Sequence, residues 1–293
     1  MPSFYKLEIP IFGPASGPAA AEAGAKQVEL NRSGSYSAGG LTPTLSELET
    51  LISSLPCSVS KRPIIRVMIR PRGAPPQSLN SEKKEEEKLM DFIYSPEEYE
   101  EMKDSIRQFV GSGLLSPERG DGFVLGALKY RYSDGTAVPI PDVEKVRELV
   151  NEVGGLKVVF HRAFDELVTS DAGDKTAREG GLMMRGLKEV GVDGILTSGG
   201  RGRAVDNVGV LRRLLMESLE SDGGGPDLII GGGVRSSNLK EILEGIGGKD
   251  VVYGTRVLFH SSCLRVVENE EVFDMEEARE LGRLLDVLGV ETV

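Results

Sequence analysis

The sequence predicts an α/β protein, a single (β/α)8 barrel with loop insertions spanning all 293 residues. Three observations predict it. Short apolar runs alternate with amphipathic stretches along the chain, the rhythm of a parallel sheet whose crossovers are helices. Eight such runs occur, and eight strand-helix units occupy about 250 residues in a barrel of this kind. An open doubly wound sheet is the competing arrangement, but no Gly-x-Gly-x-x-Gly follows the first run, where its phosphate-binding turn would sit.

The eight runs are Lys6 to Ile11, Gln27 to Leu30, Ile64 to Arg70, Gly122 to Gly126, Leu156 to His161, Gly194 to Ser198, Asp227 to Gly231, and one near Val251 to His260. Between them, Val143, Val146, Leu149 and Val150 have helical spacing, as do Leu211, Leu214, Leu215 and Leu219. Helix starts are marked by Ser95-Pro96-Glu97-Glu98, a capping hydroxyl, first-turn proline and reciprocal glutamate, and by the cap and proline of Thr42-Pro43. Ala74 to Leu89 combines two prolines with the run Glu82 to Lys88, a composition that cannot bury a core, and reads as a mobile loop insertion. Val168 to Gly181 and Glu220 to Pro226 read as polar loop extensions.

Composition narrows the class. A chain of this length buries about 75% of its unfolded surface, so it needs no disulfide scaffold. No apolar run approaches the roughly 20 residues of a membrane span. The first ten residues lack a basic stretch followed by an apolar one, so a cytoplasmic protein is expected. With 35 Lys+Arg against 46 Asp+Glu the net charge is −11, which repels nucleic acid and anionic membrane at long range.

Side chains at the carboxyl ends of barrel strands converge on one mouth, so polar residues there are the candidates for chemistry. Glu8 and Glu29 alternate with apolar neighbours, which aims their carboxylates into the barrel. Each needs a partner there, and Arg70 is the natural one. Both histidines of the chain, His161 and His260, fall on strand ends, and imidazole is the side chain best suited to proton transfer near neutral pH. The candidate catalytic set is therefore His161, Glu8, Glu29, Arg70 and Asp165. Arg72, Asn31, His260 and Ser262 are candidates for holding a small anion. Thr197-Ser198-Gly199 and Gly231-Gly232-Gly233 are candidate backbone cradles for phosphate or carboxylate. On the plainer reading, Glu8, Glu29 and Arg70 form a buried ion network that fills the upper barrel. No His-rich set marks a hard-metal hydrolase, and the metal ligands are left unassigned.

Taken together, the motifs resemble the CutC copper homeostasis family. They are Gly24-Ala25-x-x-Val28-Glu29-Leu30, Gly39-Gly40-Leu41-Thr42-Pro43-Thr44, Met68-Ile69-Arg70-Pro71-Arg72-Gly73, Asp91-Phe92-Ile93-Tyr94-Ser95, Phe160-His161-Arg162-Ala163-Phe164-Asp165, Leu196-Thr197-Ser198-Gly199 and Gly231-Gly232-Gly233-Val234. The resemblance implies a (β/α)8 barrel, a cytoplasmic homodimer or higher oligomer, and a role in copper handling or tolerance. The insertion at 74–89 and a longer eighth unit suggest a eukaryotic, fungal-type member. Copper as a cofactor is implied by the resemblance alone. Copper sites proposed for the family use cysteines just after strands one and two, where this chain has Pro10 and Asn31. Cu(I) prefers thiolate or thioether ligands, so those replacements remove the chemistry for tight Cu(I) binding. Cys57 and Cys263 are expected at opposite ends of the barrel, too far apart to share an ion. Two further readings stay open: an enzyme of lyase or isomerase type acting on a small anionic metabolite, and a binding scaffold without turnover.

Overall fold

Eight parallel strands close into a ring in the computed structural model, which describes residues 6–56, 62–76, 90–133, 136–168, 174–220, 224–248, 257–268 and 270–289. The first four are β1 (Lys6–Phe12), β2 (Gln27–Asn31), β3 (Ile64–Met68) and β4 (Gly122–Leu125). A hairpin of β5 (Leu128–Ser133) and β6 (Thr136–Pro141) follows. The ring continues through β7 (Lys157–Phe160), β8 (Gly194–Thr197), β9 (Asp227–Ile230) and β10 (Val257–His260), which pairs back onto β1. A second hairpin, β11 (Leu264–Val267) and β12 (Glu270–Phe273), leads to the last helix. The helices are α1 (Gly17–Glu22), α2 (Leu45–Ser54), α3 (Pro96–Gly111), α4 (Val143–Glu152), α5 (Asp174–Glu189), α6 (Val208–Glu220), α7 (Leu239–Gly245) and α8 (Met275–Gly289). The expected (β/α)8 class is the observed one.

Strand alternation sorts the side chains into two layers. Leu7, Ile9 and Ile11 of β1, Val28 and Leu30 of β2, and Ile65 and Val67 of β3 face outward and pack in one cluster with the helices. Inside the ring, Met68, Val124, Val159, Leu196, Ile229 and Leu258 form a separate apolar cluster, one residue from each of β3, β4, β7, β8, β9 and β10. The other two strands, β1 and β2, send Glu8 and Glu29 inward instead. This asymmetry in the barrel filling positions the site.

Local chemistry explains the helix starts and corrects one of them. Ser95 caps α3 with the expected reciprocal pair, its side chain accepting from the Glu98 N–H while the Glu98 carboxylate accepts from the Ser95 N–H. The cap of α2 is Thr44, paired with Glu47, and not Thr42. Thr42 does other work: its hydroxyl accepts from the Arg70 N–H at 2.8 Å and ties the loop after β2 to the end of β3. The polar stretch 168–181 is also corrected, because α5 begins at Asp174 and residues 174–181 are its first turns, despite two glycines. Ser133-Asp134-Gly135-Thr136 carried a readable hairpin signal, Asp-Gly between alternating residues, for β5 and β6. Most of the 74–89 insertion (residues 77–89), residues 251–256 and Cys57 lie outside the described residues.

Candidate functional site

The mouth at the carboxyl ends of the strands holds a cavity of about 240 Å³. Glu29, Arg70, His161, Gly232, Gly233, His260 and Ser262 line it, so the structure gathers seven of the fifteen expected residues around one space. Pro10, Phe12, Tyr36, Gly39, Met68, Phe92, Arg162, Leu196, Arg235 and Ser261 complete the lining and were not among the candidates. Arg235 follows Gly231-Gly232-Gly233 by two residues, and that proximity to a strand end was the available signal.

Glu8 lies just beneath, 1% exposed, with Oε1 2.8 Å from Nδ1 of His260. Glu29 is 3% exposed, and its Oε1 accepts from Asn31 Nδ2 at 3.0 Å. The second oxygens of both carboxylates are buried without a hydrogen-bond partner. Burial raises the pKa of Glu29 and the neighbouring Glu8 charge raises it further, outweighing the opposing charge of His260 and the Asn31 bond. Burial alone would lower the pKa of His260, but the Glu8 bond and the two carboxylate charges hold it above the ordinary histidine value.

The partner expected for these carboxylates, Arg70, is engaged elsewhere. Its Nη2 donates to Asp91 at 2.8 Å and its Nη1 to the carbonyls of Ala38 and Gly40 at 2.6 and 3.0 Å, while Phe92 packs against the guanidinium. Gly39 and Gly40, both left-handed at φ 78° and 87°, fold the loop close enough for these bonds. Arg72 also turns away from the cavity: Nε donates to Glu98 at 2.5 Å, Nη2 donates to the Ile93 carbonyl at 2.7 Å, and the guanidinium lies over the Tyr94 ring. Its bonds staple the β3 loop to the start of α3.

His161 is held by a different logic. Its Nδ1 accepts from the Ala163 N–H at 3.2 Å, which places the proton of the neutral ring on Nε2, and Nε2 is buried without a partner. Burial, with the positive charge of Arg70 added, drives its pKa down to about 3. The ring is therefore set up to donate a hydrogen bond rather than to take up a proton, which changes the acid-base role expected for it. Gly126 makes room for the ring, since a Cβ there would stand 2.7 Å from its Cε1 and Nδ1.

Asp165 does not reach the cavity. One oxygen accepts from Thr197 Oγ1 at 2.6 Å and the Ser198 N–H at 2.9 Å, the other from Ser198 Oγ at 2.8 Å and Arg162 Nε at 2.7 Å. Thr197 and Ser198 are thus held as structure. Of the expected backbone cradle, the Gly199 N–H donates to Thr197 Oγ1 and the Gly231 N–H to the Thr197 carbonyl, so both are committed within the fold. Gly232 and Gly233, left-handed at φ 89° and 77°, are the two that border the cavity. Beside them Arg235 donates to Ser261 Oγ at 3.0 Å and the Val234 carbonyl at 2.8 Å.

These features define a (β/α)8 barrel protein with a small cavity at the carboxyl ends of its strands, lined by charged and apolar side chains together. A profile of the CutC family matches residues 5–257, and the chain belongs to that family. It is 30% identical to a CutC family protein of Erwinia tasmaniensis over 239 residues, 82% of this chain and 74% of the relative. It is 31% identical to the copper homeostasis protein cutC homolog of Drosophila melanogaster over 240 residues, 81% of this chain and 72% of the relative. The crystal structure of the CutC of Streptococcus agalactiae aligns with a TM-score of 0.63 at 22% identity, over 87% of this chain and 97% of that one, and shows the same fold.

The donor set lacks the thiolates that a copper site of the family's kind would use. Positions 10 and 31 carry proline and asparagine, and among the described residues Cys263 is the sole cysteine. It is fully buried after β10, and burial pushes its thiol up to about 11. The unpartnered buried atoms at the mouth are oxygens of Glu8, Glu29 and Asn31, Nε2 of His161 and the guanidinium Nε of Arg70, and the one sulfur on the lining among the described residues is the Met68 thioether. A set without a thiolate does not make a tight Cu(I) site.

Proposed function

We propose that this chain serves copper homeostasis, as the names of its relatives state, without a thiolate site for Cu(I) in its barrel. The observation that carries this reading is that Pro10 and Asn31 stand where family members are thought to present cysteines, and that no thiolate lies on the cavity lining among the described residues. Titration with Cu(I) against a competing chelator tests it. The expected result is no stoichiometric site of sub-nanomolar affinity, and such a site would overturn it.

A second reading has its own observation. Arg162 and Arg235 border a cavity into which a neutral histidine with an unpartnered Nε2–H is also placed. That grouping suits a small anionic metabolite, with His161 donating to a developing negative charge in a lyase or isomerase step. Incubation with a cell metabolite extract, compared with His161→Ala, should show substrate loss in the wild type alone. Identical profiles would dismiss any substrate in that extract.

The same reading places the protein in the cytoplasm, as a eukaryotic member, with no nucleic-acid or membrane partner. The net charge of −11 supports the last two points, and no helix among the described residues is long and apolar enough to cross a membrane. Homo-oligomer formation is supported by exposed Leu182 on α5 and Met216 on the adjacent α6. Light scattering of the purified chain measures it.

A further inference from the structure

The carboxylates of β1 and β2 stand where the other six strands place apolar side chains, and among the described residues no arginine donates a hydrogen bond to either of them. Arg70 is committed to Asp91 and two carbonyls. Arg66, inward-facing on β3 one layer below, feels the Glu8 charge but donates to the Gly120 carbonyl. Glu8, Glu29 and His260 each bring a ligand atom within 4.8 Å of the others. Independently of that clustering, Oε2 of Glu8 and Oε2 of Glu29 are buried and unpartnered, in residues 1% and 3% exposed. A buried carboxylate oxygen without a donor is costly, and two side by side call for something positive between them.

We propose that Glu8, Glu29 and His260 hold one divalent first-row cation at the floor of the mouth cavity, its remaining coordination open to that cavity. Two carboxylates neutralise a double charge, and one imidazole with oxygen donors is a ligand set for ions such as Zn2+ or Mn2+. Three protein ligands beneath an accessible cavity are the arrangement of a site that keeps an open position. Glu29 and His260 border the cavity itself, which supplies the path of entry. Ligand atoms around a tetrahedral ion with bonds of about 2.1 Å stand roughly 3.4 Å apart, so the cluster closes by an inward shift of roughly 1 Å. The ion takes the place of the proton between His260 Nδ1 and Glu8 Oε1, and that proton leaves to solvent. Nothing here depends on the copper reading: the probes are different ions and the ligands are not those the family's cysteines would supply.

Isothermal titration of the metal-stripped full chain with Zn2+ and with Mn2+, each in two buffers of different ionisation enthalpy, tests the site. The expected result is one equivalent bound by at least one of the two ions, with at least one proton released and a raised unfolding temperature. Glu29→Gln, close in shape to the native side chain, and His260→Gln should each weaken binding by at least about tenfold, while the exposed Glu276→Gln leaves it unchanged. Absence of binding by either ion up to about 1 mM, or equal affinity in Glu29→Gln with its circular dichroism intact, would overturn the proposal. If His260→Gln fails to fold, the wild-type titration and Glu29→Gln decide. A Cu(I) titration run alongside bears only on the copper reading.

Discussion

The carboxylate of Asp165 and those of Glu8 and Glu29 are buried at the same barrel mouth, yet their surroundings differ. Asp165 receives four hydrogen bonds, from Thr197, from Ser198 twice and from Arg162. Across the barrel, Glu8 and Glu29 each keep one oxygen without a partner. The first arrangement holds the end of β8 in shape and leaves no capacity for a ligand. The second leaves capacity at a cost in stability, the pattern expected where a fold gives up local satisfaction for function.

Removing each kind of carboxylate should have opposite consequences. Asp165→Ala orphans the Thr197 hydroxyl, the Ser198 N–H and Arg162 together, and should cost roughly 2–4 kcal/mol in urea unfolding. Glu29→Gln removes a carboxylate whose charge burial disfavours, and should stay within about 1 kcal/mol of wild type or gain stability. A loss in Glu29→Gln as large as that in Asp165→Ala would break the distinction.

A smaller effect is expected at Gly126. Its replacement by alanine puts a Cβ 2.7 Å from the His161 ring, which must then move, and should cost about 1–3 kcal/mol. Enlarging the site from the Phe92 side instead, with Phe92→Leu in the same background, should recover part of that loss, because the Phe92 and His161 ring centroids lie 4.7 Å apart.

His161 also has a signature in pH. Its folded pKa of about 3 lies below the ordinary value of 6.5, so the unfolded chain binds a proton that the folded chain refuses between those values. The stability that His161 provides is therefore complete above pH 6.5 and is lost as pH falls toward 3, at up to about 1.4 kcal/mol per pH unit. His161→Gln should lose less stability than wild type between pH 7 and pH 5 in parallel denaturant melts. An equal loss would place the ring in water.

The smallest effect concerns Cys263. With its thiol pushed up to about 11, under about 1% is thiolate at pH 8, so Cys263→Ser should leave the fast phase of thiol-reagent labelling unchanged.

The barrel was legible because its cause is repetitive: eight apolar runs separated by helical spacing admit few closures, and Glu8 between Leu7 and Ile9 had to face inward. The extra hairpins were weaker signals, four to six residues each, and only Asp134-Gly135 announced one of them. Site membership was legible for Glu29, His161 and His260, since strand ends converge in any such barrel. Partnership was not. Arg70 and the two carboxylates are neighbours in barrel order, but the glycine-turned loop at 39–40 presents carbonyls to the guanidinium, and Asp91 arrives from the far side of an insertion. The Glu8–His260 pair joins residues 252 positions apart and follows from strand register, which local pattern does not encode.

That register has a consequence for synthesis. β1 is synthesised before the other barrel strands and β10 after them, and the pairing of Glu8 with His260 is part of the seam where the ring closes. Contacts of such separation form late, after the loop-closure entropy of almost the whole chain has been overcome. A nascent or truncated chain that ends before β10 can already have most of its helices and seven barrel strands, yet it has an open edge at β1 and lacks one wall of the cavity. Ligand capture at Glu8, Glu29 and His260 would thus report that β10 has joined the ring, and copies that end before β10 would be inert toward whatever the cavity holds.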